Sequence, residues 1–301
     1  MKFFVMAFVF LFGIASGAND VKVIAFAQDD MANDFRKAQV FEARDEARRH
    51  KNLQFVYSDA KAKTSMLIYQ IDEFIKQKVD LIIVGANDAD AVVPVVTKAY
   101  KSGVKVIILD RGINSEQYTT FINSDNVMIG SIGAKYIAKK LHNKGLVLLF
   151  EGLLSADVTQ LRSKGFLDEM AQYKDIKIIK RTGNYLRRDA IAEMQKLIKE
   201  GIEVDAIFAQ SDSMISGARS AMRRFGKDPS SIVMVGCDYT SEAQEAILKG
   251  AQTASIKFPL GAKQAVEYAL EIFAGKKLPK HIFISVKLVT QENAKVTKPI
   301  F

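Results

Sequence analysis

Apolar residues in this chain gather in short unbroken runs, separated by longer segments in which they recur every three or four positions. Residues 21–27 (VKVIAFA), 54–57, 81–84 and 106–109 read as strands. Their nearly continuous aliphatic character is that of parallel strands covered on both faces by helices. Between them lie three helical patterns. Residues 34–50 carry Phe35, Ala38, Phe41 or Glu42, and Ala47 on one face, and residues 64–76 carry Met66, Ile68, Ile71 and Ile75. The third has Pro94 early, where a missing N–H costs least, and ends at Gly103.

The rhythm then restarts. A short apolar step at Phe121 and Ile122 leads to a helix capped by Ser124 or Asp125 and running to about Leu141. Strands are predicted at 146–150, 176–181, 206–209, 232–236 and 253–256, with helices at 156–172, 188–200, 212–225, 241–249 and 261–274. Alternating strands and helices imply right-handed crossovers and parallel sheets. The fold class is therefore α/β, in two doubly wound parallel-sheet lobes. No Gly/Ser/Pro-rich linker separates the halves, which favours short strand-like crossings over a flexible tether.

The organising stretch is KVIILDR, residues 105–111. A buried strand runs directly into an acid and a base, Asp110 and Arg111, at the carboxyl rim where open α/β sheets bind ligands. Other polar and aromatic residues follow strands in the same way: Gln28, Asp29 and Asp30; Asn33, Asp34, Phe35 and Arg36; Asn184 and Tyr185; Ser211 and Asp212; Asp238 and Tyr239; Lys257 and Phe258. Gln160 and Arg162 lie on the helix after residues 146–150. Planar Asp, Asn, Gln and Arg side chains match the hydroxyls of a polyol, and aromatic rings match its C–H face. Each also has a plainer reading, since acids after strands cap helices and Phe35 or Tyr185 can be core.

Composition narrows the setting. Of 301 residues, 49% are hydrophobic and 26% charged, an ordinary globular balance. Lys2, an apolar stretch over 3–14 and the small residues Ala15, Ser16, Gly17 and Ala18 describe an export signal over 1–18, cleaved after Ala18. The lone Cys237 allows no disulfide within the chain. A soluble periplasmic product is expected. The formal charge of +9 is spread in pairs such as Arg48 and Arg49, Arg187 and Arg188, and Arg223 and Arg224, which reads as solvated surface rather than a nucleic-acid footprint.

Catalytic and metal signatures are missing. His50, His142 and His281 are far apart, without metal-ligand spacing. No nucleophile elbow or Walker loop occurs, and Gly130 and Gly133 lie inside a helical pattern, where helix packing explains them better than a dinucleotide fingerprint. Binding without turnover is expected, with no cofactor and no metal. An exported enzyme is the contrary reading from another class. A repressor would need an N-terminal helix-turn-helix where the export signal stands.

At these residues the chain resembles the periplasmic ribose-binding protein and its relatives, the pentose/hexose branch of the type I periplasmic binding proteins. The likeness is strongest in residues 106–111 with 122–126 (VIILDR, INSDN), 207–218 (IFAQSDSMISGA), 233–238 (VMVGCD) and 284–289 (ISVKLV). It implies two lobes joined by three hinge crossings, with 19–124 and 257–288 in the first lobe and 125–256 and 289–301 in the second. It implies a monomer that closes on a monosaccharide or related polyol, delivered to the permease of an ABC importer or sensed by a chemoreceptor or sensor kinase.

By the same resemblance Asp110, Arg111 and Asp238 match residues that hydrogen-bond sugar hydroxyls. Asn33 and Phe35 match a polar contact and a stacking aromatic, Tyr185 an aromatic of the second lobe, and Asp29 a polar position. The chain departs from the pattern elsewhere. Arg36 replaces a second aromatic, Gln160 an arginine, and Ser211 an asparagine, while Lys257 or Phe258 falls where a glutamine is expected. Arg36 or Lys257 then either reaches an anionic group on the ligand or pairs with Asp29 or Asp30.

Overall fold

The computed structural model describes residues 21–301, so the export signal read in residues 1–18 lies outside the described residues. The first half runs β1 (Lys22–Gln28), α1 (Asp34–Ala47), β2 (Leu53–Asp59), α2 (Thr64–Lys76), β3 (Leu81–Gly85), α3 (Val93–Lys101), β4 (Lys105–Leu109) and β5 (Thr120–Asn123). The second half runs α4 (Asn126–Lys140), β6 (Lys144–Glu151), α5 (Asp157–Met170), β7 (Asp175–Thr182), α6 (Arg187–Lys199), β8 (Ala206–Ala209), α7 (Asp212–Arg224), β9 (Val233–Asp238), α8 (Ser241–Leu248) and β10 (Ala254–Lys257). It ends with α9 (Ala262–Phe273), β11 (His281–Phe283), β12 (Lys287–Thr290) and the single turn α10 (Gln291–Ala294).

The strands form two six-stranded sheets, β11-β5-β4-β3-β1-β2 and β12-β10-β9-β8-β6-β7. Without their last-added strands the two share one order, so β4 and β9 hold equivalent places. Each sheet is sandwiched. Val84 and Val106 face Leu67, Ile71 and Val96 on one side of the first sheet, while Ile83 and Ile107 face Val40, Ala265 and Val266 on the other. This two-sided burial explains the unbroken aliphatic runs.

The chain passes between sheets three times: between β5 and α4, between β10 and α9, and between β11 and β12. The third passage falls before Lys287, earlier than the expected break after residue 288. The reason is pairing: β12 lies antiparallel on β10, with Lys287 opposite Lys257 and Leu288 opposite Ile256. Strands of three and four residues carry too little periodicity to be seen in sequence.

Helix packing accounts for the glycines in α4. A Cβ on Gly130 would lie 2.1 Å from the Arg162 carbonyl oxygen of α5, and one on Gly133 would lie 2.4 Å from the Phe208 ring. Across the same contact, Gly165 leaves no room for a Cβ beside the Val127 carbonyl, 2.0 Å away. These helices therefore touch backbone to backbone, which seats α5 low on its sheet and aims its first turns at the strand tips.

Cys237 on β9 is fully buried, and burial pushes its thiol well above the ordinary range. A neutral, covered thiol reacts slowly. Native protein should take up essentially no label from a soluble thiol reagent, and about one equivalent once denatured; full labelling of the native state would contradict this packing.

Candidate functional site

The tips of β4 and β9 place one acid each in left-handed backbone: Asp110 has φ of 68° and Asp238 of 108°. Such angles turn the chain sharply at the rim and are held only where surrounding structure demands them. In the first lobe the demand is visible as charge pairing. Asp110 Oδ2 lies 3.1 Å from Arg36 Nη1, and Arg36 Nε lies 3.5 Å from Asp29 Oδ1. Arg111 Nη1 in turn donates to Asp29 Oδ2 at 2.7 Å and to the Ala86 carbonyl at 3.3 Å. Arg36, Asp29, Asp110 and Arg111 are all buried, so the two acids and two bases neutralise one another out of water.

Arg36 therefore answers the alternative left open by the sequence: it pairs with Asp29, and also with Asp110. Burial and the neighbouring Arg111 lower its hold on its proton. Asp30 instead faces a turn, accepting from the Ala32 N–H at 3.0 Å.

In the second lobe Asp238 has no such cation. Burial, then the adjacent Asp212, hold its carboxyl well above the usual carboxylate range, with Arg162 opposing. Asp212 lies behind it and accepts from Ser255, Gln252 and the Tyr239 N–H at 2.7–2.8 Å. Burial nevertheless pushes Asp212 up to about 6.

A narrow cavity of about 20 Å³ lies between these tips. That is room for about one water, so the walls of the two lobes stand nearly in contact. Of the residues singled out in sequence, Asn33, Phe35, Arg36, Asp110, Arg111, Tyr185, Ser211 and Asp238 line it. Asn33 and Ser211 also cap helices, accepting from the N–H groups of Arg36 at 3.0 Å and Met214 at 3.3 Å. The capping reading and the pocket reading are therefore both met. Tyr185, in left-handed backbone with φ of 61°, lays its ring against Gly152, where a Cβ would meet it at 2.0 Å. Its hydroxyl meets Thr159 Oγ1 at 2.7 Å.

Three candidates are placed elsewhere. Asp29 is buried behind the wall and acts through Arg36 and Arg111. Gln160 is on the outer face of α5, its amide donating to the Leu154 carbonyl at 3.2 Å, and Arg162 takes the inner position. Two residues along a helix turn a side chain by about 200°, so the two cannot share a face. Lys257 runs outward to the Lys298 carbonyl at 2.7 Å, and Phe258 enters the cavity in its place. Successive side chains leaving a strand point to opposite sides.

Arg162 and Phe258, named in the sequence beside Gln160 and Lys257, line the cavity in their stead, and Val158 is the lining residue that the sequence reading did not name. Val158, Arg162 and Phe166 recur at i and i+4, which was the available signal. Arg162 donates Nε to Asn126 Oδ1 at 2.8 Å and Nη1 to the Gln210 carbonyl at 2.7 Å, with its guanidinium 4.6 Å from the Phe258 ring centroid. Phe258 packs on Phe35, centroid to centroid 5.3 Å, so the cavity has one aromatic wall and one charged wall. Among the described residues, no three histidine, cysteine or acidic side chains converge as metal ligands.

Comparison with known proteins agrees with this arrangement. A family model described as a periplasmic binding protein domain matches residues 24–277. The ribose import binding protein of Bacillus subtilis is 30% identical over 244 residues, covering 80% of this chain and 79% of that protein. A solute binding protein of an ABC transporter from Bacillus halodurans, solved with bound myo-inositol, superposes with a TM-score of 0.87 at 25% identity, covering 93% of this chain and 98% of that one. The fructose binding periplasmic domain of a hybrid two-component system superposes at 0.84 with 28% identity, covering 91% of each chain.

Two outcomes test the charge arrangement. Arg36→Phe strands Asp110 without its cation and leaves Asp29 only Arg111, and should cost about 3–5 kcal/mol in denaturant unfolding; an unchanged midpoint would mean the pairing contributes nothing. For Asp238 the sign follows from its raised carboxyl: the native state favours the protonated form. Its contribution is present below the unfolded value of about 4 and is lost as pH rises through the folded one. Asp238→Asn should therefore lose less stability than the wild type as pH rises above about 4. Parallel pH profiles would sink the assignment.

Proposed function

We infer that this chain, which belongs to the periplasmic binding protein family, closes two α/β lobes on one small hydroxyl-rich molecule, a monosaccharide or related polyol, for delivery to an ABC importer. The observation that carries this is the shared cavity. Asp110 and Asp238, at equivalent strand tips of the two sheets, line one narrow space between the lobes. A ligand spanning it touches both lobes at once. Its contacts favour the closed arrangement over the open one and shift the population, as hinge closure operates in this class of protein.

The chemistry of the walls fits a neutral polyol. Carboxylates and guanidiniums offer acceptors and donors to hydroxyls, while Phe35 and Phe258 offer an apolar face. Arg36 and Arg111 are already balanced by Asp29 and Asp110, so the first-lobe wall brings no net charge that calls for an anionic group. The ligand contacts proposed are Asn33, Phe35, Asp110, Arg111, Arg162, Tyr185, Ser211, Asp238 and Phe258, with Arg36 and Asp29 fixing Asp110 and Arg111. No residue set here is arranged for bond making, and the export signal read in residues 1–18 supports a periplasmic address.

A second reading, a ligand-sensing adaptor for a membrane receptor, is favoured by one observation: the likeness to a periplasmic domain of a hybrid two-component system. Loss of ligand uptake on deleting the protein would support delivery; loss of a transcriptional response with uptake intact would support sensing.

A thermal-shift screen of pentoses, hexoses, alditols, cyclitols and sugar acids tests the ligand class. At about 100-fold over Kd a true ligand adds ~2.7 kcal/mol, a rise of roughly 5–10 °C. Asp110→Ala and Asp238→Ala should each weaken that ligand by about 1–3 kcal/mol. A panel without a hit, or variants that bind like the wild type, would overturn the reading.

A further inference from the structure

Hydrogen bonds cross between the lobes on two sides of the cavity. On one side Asn33 Nδ2, in the cavity wall, donates to the Tyr185 carbonyl at 3.0 Å, and beside it Ser213 Oγ donates to Asp34 Oδ2 at 3.3 Å. On the other side they come from residues that do not line the cavity. The Gly112 N–H donates to Asp157 Oδ2 at 2.8 Å, and Ser155 Oγ donates to the Asn87 carbonyl at 3.0 Å. Gly112 directly follows Asp110 and Arg111, and Asp157 directly precedes Val158. The Gly112–Asp157 pair therefore sits one residue outside the cavity lining in each lobe.

We propose that Asp157 and Ser155, gripping Gly112 and Asn87, form a clasp that holds the lobes shut without touching the ligand, and so set how tightly any ligand is retained. The inference rests on the closing of two lobes proposed above.

Both halves of the clasp are built to fit. Gly112 has no space for a side chain, since a Cβ there would lie 2.8 Å from Asp157 Oδ2 and 3.3 Å from the Phe121 ring. Asn87 is held by its own amide, which donates to Thr64 Oγ1 at the start of α2 at 3.0 Å. Asp157 stands in the first turn of α5, where the helix end favours an anion. Its other oxygen, Oδ1, is buried without a partner, as is Asn87 Oδ1. Shut, the clasp gains a charge-assisted bond but leaves acceptors dry; open, water satisfies them all. Opposed contributions of this kind make a contact that holds and still releases.

The test uses the full exported chain without ligand. Spin labels on K76C and K164C, exposed positions on α2 and α5, report the separation of the lobes on the clasp side, with buried Cys237 unlabelled. The unsubstituted background should show a minor short-distance population. Asp157→Ala and Gly112→Ala should each deplete it about tenfold, the scale of one charge-assisted hydrogen bond, while keeping a cooperative thermal transition. Asp157→Asn, which keeps an acceptor for Gly112, should restore part of it. Variants with an undiminished short-distance population, or a background that has none, would overturn the clasp. Because no ligand is needed, a polyol screen without a hit would count against the function and leave this result standing.

Discussion

The structure depends on how charge is kept out of water at the strand tips. Asp29, Arg36, Asp110 and Arg111 come from three separate segments of the first lobe and are buried together, each acid within reach of a guanidinium. A buried charge without a partner is costly by several kcal/mol, so none of the four is tolerable alone. The pairing ties the loop after β1, the start of α1 and the end of β4 into one rigid rim. It also leaves Asp110 Oδ1 and Arg36 Nη2 without partners inside the protein, polar capacity that a bound hydroxyl can use.

The second lobe solves the same problem differently. Asp238 occupies the equivalent strand tip, with the same left-handed turn, yet its neighbours are another acid, Asp212, and an arginine, Arg162, held by Asn126 and a backbone carbonyl. One wall is thus self-neutralised, while in the other burial pushes the Asp238 carboxyl upward, toward its protonated form. The difference is between a rim whose charges are balanced within the protein and one whose acid has no close ion-pair partner.

Positioning on this scale needs rigid supports. Gly130, Gly133 and Gly165 let α4 and α5 approach backbone to backbone, which fixes where Arg162 and Val158 emerge. Asn33 and Ser211 each close a helix end while presenting themselves to the cavity, so local folding and the site are specified by the same atoms. Each lining residue lies in an element or within two residues of an element's end, so rigid elements aim the site.

The residues themselves determined the architecture. Aliphatic runs alternating with helical spacing give two doubly wound sheets, because only two-sided burial rewards such runs. An acid directly after such a run, as at Asp110, must stand at the carboxyl rim. Tertiary structure alone decided what those acids meet. Whether Arg36 faced a ligand or a carboxylate depended on β4 bringing Asp110 to it across 74 positions of sequence, and no local pattern encodes that distance. Gln160 and Lys257 were misplaced by small errors of phase, two residues on a helix and one past a strand, each enough to turn a side chain to the opposite face. The short strands β11 and β12 exist because their neighbours offer open edges to pair with, which a three- or four-residue sequence does not announce.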